Sequence, residues 1–173
     1  MNSEYFKKNE QTDYELFVEL MADIAPNIKV GETPQYFYCD ATATTIGDIV
    51  VEHELKRRYY QFNDEKMVMV NNGKEYDEII IEAHKLCELL LSMHITNNVH
   101  QAKYANFIIN EDGTKYAICF DIHGLNRMLK KKKFSNIYSK GYEQQEDGWR
   151  FLLPIKDAII FRKNNGGRYE RIQ

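Results

Sequence analysis

The sequence predicts a single α/β domain, and three observations point there. First, the chain has 173 residues, 43% hydrophobic and 28% charged, which suits one folded unit with its own core. At about 150 residues a chain already buries roughly 70% of the surface its unfolded form exposes. Second, the apolar residues fall into two kinds of segment: some repeat at the three- and four-residue steps of a helix, others run together as β-branched and aromatic stretches. The kinds alternate as helix, strands, helix, strands. Third, the cysteines number 3 and show no framework spacing, so neither disulfides nor a zinc knuckle is expected to hold the fold.

Residues 1–11 are polar and expected to fray. Thr12-x-x-Glu15 is a capping-box pattern that opens a helix. Leu16, Phe17, Leu20, Met21 and Ile24 follow at helical steps, and Pro26 forbids continuation. Gly31 and Pro34 break the chain before an aromatic and β-branched run over 35–43. A turn near 45–47 leads into a second run over 49–58, and the pair reads as a hairpin. Residues 59–64 read as loop, 67–70 as a short strand, and Asn71-Asn72-Gly73 as a turn. The spacing predicts a helix over 77–93, buried on most of its circumference by Ile79, Ile80, Ile81, Leu86, Leu89 and Leu90. Runs over 104–109 and 115–122 flank Asn110-Glu111-Asp112-Gly113, a four-residue hairpin loop with glycine last. A short helical piece near 125–131, a polar loop through Asp147 and an apolar strand around 158–161 complete the chain. No repeat or linker divides it, so residues 1–173 are expected to form one domain.

The net charge of −3 hides an asymmetry. From Asn126 onward 12 basic residues face 5 acidic ones, a balance of +7 that leaves −10 for the first 125 residues. An acidic front and a basic back suggest a cation site in one part and an anionic partner near the other, with plain scatter over a solvated surface as the alternative. The N-terminal residues lack the apolar core of a signal peptide, and no stretch approaches the ~18 apolar residues of a membrane helix. A cytoplasmic protein without a membrane partner is expected. The five histidines form no zinc pattern. No phosphate-cradling glycine loop or Gly-x-Ser-x-Gly elbow is present, which argues against nucleotide hydrolysis and serine chemistry.

The stretch 47–58 carries the most chemistry. On a strand, Ile49, Val51, His53 and Leu55 face one way and Val50, Glu52, Glu54 and Lys56 the other. The second row sets two carboxylates and an ammonium within or beside an apolar sheet. Burying charge there costs several kcal/mol unless it is paired or metal-bound. An edge strand showing Glu and Lys to water is the structural alternative. Asp40 precedes Glu54 by fourteen residues, and in a hairpin it approaches the Glu54–Lys56 face, giving two hard oxygen donors with a cation beside them. Asp48 lies six residues before Glu54 on the same strand, roughly 20 Å away at ~3.3 Å per residue, too far to share an ion.

Asp40 followed by Glu54-Leu55-Lys56 in an apolar strand resembles the Asp…Glu-x-Lys signature of the PD-(D/E)XK nuclease superfamily, the restriction-endonuclease-like fold. The helix before, the buried helix after and the further strand pair match its order, over roughly residues 12–122. Cys39 stands where the family name has proline, and Glu52 shares the face of Glu54, though its spacing to Lys56 fits less well. The resemblance implies a mixed central sheet flanked by helices, with residues 123–173 as a basic C-terminal extension.

It also implies a Mg²⁺- or Mn²⁺-dependent nuclease, endo- or exonucleolytic. Asp40, Glu54 and the carbonyl of Leu55 would hold the metal, and Lys56 would assist the attacking water or stabilise charge on phosphorus. Glu52 is a further candidate ligand. Glu19 or Glu15 on the first helix would add a supporting contact. Lys85 would reach a phosphate, unless it simply pairs with Glu82. DNA is the expected partner, with RNA also open, and a homodimer is compatible. Arg57 and Arg58, with the run Lys130, Lys131, Lys132 and Lys133, are the expected contacts to the nucleic-acid backbone. Tyr138, Tyr142 and Trp149 stand as stacking or core aromatics. Two other readings stand beside this one: a non-cleaving nucleic-acid or protein binding module on the same fold, and a small α+β dimeric interaction protein whose strand row is a salt ladder.

Overall fold

The computed structural model describes residues 3–33, 39–46, 49–95, 99–122, 130–134 and 148–173. Helix α1 spans Ser3–Ile24, beginning nine residues before the capping box at Thr12. Strands β1 (Lys29–Glu32), β2 (Ala41–Thr44) and β3 (Val50–Arg58) form an antiparallel meander. A small meander follows, β4 (Gln61–Asn63), β5 (Val68–Asn71) and β6 (Lys74–Tyr76), turning at Asn72 and Gly73, whose φ angles of 50° and 73° are those of a tight hairpin turn. Next come β7 (Glu78–Glu82), helix α2 (Ala83–Ile95), β8 (Val99–Ile109) and β9 (Lys115–Asp121). The last strands are β10 (Lys130–Phe134), β11 (Gly148–Pro154), β12 (Ile159–Lys163) and β13 (Glu170–Arg171).

Among the described residues the main sheet has seven strands in the order β1-β2-β3-β8-β9-β12-β13. All neighbours are antiparallel except β3 and β8, which run parallel and make the sheet mixed. Its two faces carry separate cores. Leu16, Phe17, Leu20 and Met21 of α1 pack with Leu55, Ala105, Phe107 and Ala117 on one face. On the other, Leu86 and Leu89 of α2 pack with Tyr104, Ile108, Ile118 and Phe120. The alternation along β8, even numbers to α2 and odd to α1, is the strand period at work. The fold is therefore mixed α/β, a central mixed sheet with a helix against each face. No helix of the described residues is long and apolar enough to cross a membrane.

Several expectations need correction. The helix over 77–93 is two elements: Glu78–Glu82 is a strand paired with β11, and the helix begins only at Ala83. Three consecutive isoleucines are β-branched and fit a pleated strand better than a helical turn. The loop over 59–64 contains β4, pinned to the end of β8 by the Asn110 side chain, which accepts from Phe62 N at 2.8 Å and donates to Phe62 O at 2.9 Å. The C-terminal third is no appendage, since β12 extends the main sheet beside β9, and Leu153, Ile155, Ile160 and Tyr169 are buried. Within it, Lys130, Lys131, Lys132 and Lys133 lie on strand β10, paired with β11, so the helical piece expected near 125–131 does not extend over Lys130 and Lys131. Within the run over 35–43 the described strand begins at Ala41. Residues 34–38, Asp48, the segment 123–129 and the polar loop to Asp147, with Tyr138 and Tyr142 in it, lie outside the described residues.

Candidate metal and phosphate site

The site is built on β3, which is interior to the sheet between β2 and β8. The edge-strand alternative for the charged row is thereby set aside: Glu52 and Glu54 are buried at 2% and 7% exposure, and only Lys56 reaches solvent. The register of β2 on β3 pairs Ala41 with His53, and one step further sets Asp40 opposite Glu54. Asp40 is fixed there by backbone and side chain together. Its N–H donates to His53 O at 3.0 Å, its carbonyl accepts from Thr33 N at 3.2 Å, and Oδ2 accepts from Leu55 N at 2.8 Å.

Burial pushes the Glu54 carboxyl up to about 8, and the neighbouring Asp40 charge adds to the rise, against the pull of Lys85 and Lys56. A buried carboxyl beside a second one is relieved either by a proton or by a cation. Lys85, on the first turn of α2, supplies one, with Nζ 3.3 Å from Glu54 Oε1 and 3.4 Å from Oε2. The expected alternative partner of Lys85, Glu82, is not the one it takes; its second contact is Glu88 at 3.7 Å. Glu82 instead lies among cations. Burial works to raise its carboxyl, but Lys56, Arg58 and Arg150, with a backbone hydrogen bond, hold it below the ordinary range.

The supporting acid from α1 is Asp13, which the sequence reading passed over. Its Oδ2 accepts from Arg57 N at 3.0 Å, one residue beyond Lys56. Burial raises its carboxyl to about 6, with Asp40 adding to the rise while Arg57 and Lys56 oppose it. Glu19 is elsewhere, held by Lys115 at 2.8 Å and Lys163 at 3.0 Å, and Glu15 is exposed. The signal for Asp13 was present in the sequence, because positions 13, 16, 17, 20 and 21 form one helical stripe, so an acid at 13 points with the apolar residues toward the sheet. Glu15 and Glu19 lie off that stripe.

The two arginines after Lys56 are both partly withdrawn from solvent. Arg58 is spent internally: Nε donates to Asn106 Oδ1 at 2.9 Å, and Nη2 donates to Ile80 O at 2.6 Å and to the Tyr104 hydroxyl. Arg57 points to the α1 side of the sheet, where its Nη1 is buried. Of the sequence candidates, the structure thus brings together Asp40, Glu54, Leu55, Lys56 and Lys85, and holds Glu19 and Arg58 in other contacts. Glu52 lies two residues down the same row, buried near Cys39, whose thiol it helps push up to about 12 after burial has done most.

Among the described residues, no three His, Cys, Asp or Glu side chains form a ready-made cage for a metal. The donor chemistry nonetheless suits a hard divalent ion of the magnesium type, which takes one or two carboxylates and keeps several waters. Asp40 and Glu54 would hold it, with the Leu55 carbonyl as a further oxygen.

No family model and no curated protein matches the sequence. Among solved structures, the chain is similar to that of Hjc, a Holliday junction resolvase from the archaeal hyperthermophile Archaeoglobus fulgidus. The two share 13% sequence identity at a TM-score of 0.47, over 85% of this chain and 84% of that chain.

Proposed function

We propose that this protein is a metal-dependent nuclease that hydrolyses phosphodiester bonds in DNA, with its centre at Asp40, Glu54 and Lys56. The observation that carries this reading is the Asp40–Glu54 pair: two carboxylates fixed across adjacent strands, one raised to about 8, with lysines on either side. A divalent-ion site beside a phosphate uses such a pair of convergent carboxylates with cations at hand.

When bound, a divalent ion supplies charge for the developing phosphorane oxygens and acidifies a water. The chain's own residues do the rest. Leu55 N holds Asp40 Oδ2, so the carboxylate keeps one orientation. Glu54, buried and deprived of water, favours whatever cation enters. Lys56 is exposed at the lip of the same row, where its compact ammonium meets a phosphate oxygen or orients the attacking water. Asp13 anchors the backbone at Arg57 and so fixes the strand that carries Lys56.

The test is nicking of supercoiled plasmid with Mg²⁺ or Mn²⁺. Asp40→Asn, Glu54→Gln and Lys56→Ala should each lower the rate by about 10²-fold or more while the fold melts normally, the size of loss typical for one preorganised electrostatic group. Nicking that survives Asp40→Asn and Lys56→Ala unchanged would place the activity elsewhere.

A further inference from the structure

We propose that Lys85 is the resident counter-cation of this site and competes with the divalent ion for Glu54, so that it sets the metal concentration at which the site fills. This rests on the metal-site reading above and concerns the same carboxylates. The Lys85 ammonium sits 3.3 Å from one Glu54 oxygen and 3.4 Å from the other, so it spans both rather than pairing with one. A magnesium-type ion would be held by the same carboxylate, so the two cations would compete for its oxygens. The carboxylate's charge, shared between the two cations, would hold each less tightly than it holds either alone.

Three further features support exchange. Both contacts are longer than the 2.7–2.9 Å typical of charge-assisted hydrogen bonds, so this lysine is loosely held. Its alternative is in place, because Glu88 stands one turn along α2 with Oε2 3.7 Å away, ready to take the displaced ammonium. Lys85 comes from a helix docked on the sheet, so only its own flexible stem need move.

Titration calorimetry of the full chain with Mn²⁺ alone, without nucleic acid, tests the exchange. Lys85→Met removes the charge and keeps the stem, and should bind Mn²⁺ about 3- to 10-fold more tightly, the range expected for a partly buried ion pair. Lys85→Arg installs a fork that grips both oxygens and should bind Mn²⁺ more weakly by a similar factor. In metal-free buffer Lys85→Met should also melt below the wild type and gain more from Mn²⁺. If it does not fold without metal, Lys85→Gln and Lys85→Arg carry the comparison. Equal or weaker Mn²⁺ affinity for the neutral variants, or undiminished affinity for Lys85→Arg, overturns the exchange. Glu54→Gln separates the two levels. Mn²⁺ binding that is absent from the wild type, or that persists in Glu54→Gln, refutes the metal site itself, whereas binding lost only in Glu54→Gln leaves the site standing and judges Lys85 alone.

Discussion

Arg58 offers a direct test of which charges in this molecule face inward. Replacing it by Met keeps the hydrocarbon stem and removes the guanidinium that joins β3 to β7 and β8. The loss is localised. Asn106, fully buried and with Nδ2 already unpartnered, loses the donor to its Oδ1, and the Tyr104 hydroxyl loses a donor while keeping Ile80 O at 3.2 Å. Glu82 loses one of the cations that hold its carboxyl down. A charge-assisted hydrogen bond contributes about 1.5–3 kcal/mol, and a buried group left unpaired costs about 1–3 kcal/mol. Because the terms overlap, the expected total is about 3–4 kcal/mol. For a chain of this size that lowers Tm by roughly 6–16 °C. Urea unfolding should show a lower midpoint with an unchanged m value. Arg58→Lys should recover less than half, since a point charge cannot fork to Asn106 and Ile80 together. DNA affinity of the folded variant, measured by fluorescence anisotropy well below its melting point, should stay within about twofold. An unchanged urea midpoint together with a large drop in affinity would mean that Arg58 reaches solvent, and would refute the internal role.

Three other outcomes follow from the structure. His53, packed on Phe17 with ring centroids 4.5 Å apart, is held neutral, its imidazole pushed down to about 3 by burial and by Lys103. The unfolded chain takes up that proton below about pH 6.5 and the folded one does not, so this group weakens the fold as pH falls from 6.5 toward 3, by at most about 1.4 kcal/mol per unit. His53→Phe should therefore lose about 2 kcal/mol less than the wild type between pH 7 and pH 5 in urea titrations; parallel losses would refute it. Lys163 bonds Asp23 and pairs with Glu19, and holds the Asp23 carboxyl below its ordinary value. Lys163→Met should cost about 1 kcal/mol at neutral pH, less in high salt, and nothing once the pH falls through the carboxyl range and Asp23 protonates, as read by thermal melts. Glu19→Gln should leave nicking unchanged while Asp13→Asn lowers it; the reverse pattern would return the helix acid to Glu19.

The legible parts of the sequence were those in which one local rule decides. The Asp40 and Glu54 spacing was readable because a hairpin places residues by counting, and the 110–113 loop because glycine at the last position, with φ of 83°, is a local requirement. The misread parts are those where two rules agree with one pattern. Ile79, Ile80 and Ile81 satisfy a buried helix as well as a buried strand, and only the partner strand β11, some seventy residues away, settles it. Arg58 and Arg57 read as surface cations because nothing local shows that β7 covers one and α1 the other. Asp13 was hidden by a cap motif that drew the helix start to its position.

The parallel pairing of β3 with β8 has a consequence for the order in which this protein assembles. Residues 59–98 intervene between the two strands, so Glu52 and Glu54 have no second wall until Val99–Ile109 has emerged and docked. Until then the β1–β3 meander holds its carboxylates in water, fully hydrated and harmless to the intermediate. Dehydration of the acidic row is thus among the last events of folding, tied to a long crossover closure that is intrinsically slow. A refolding chain should first gain its hairpins and only later the affinity for divalent ions, and the delay between those two signals measures how long the crossover takes to close.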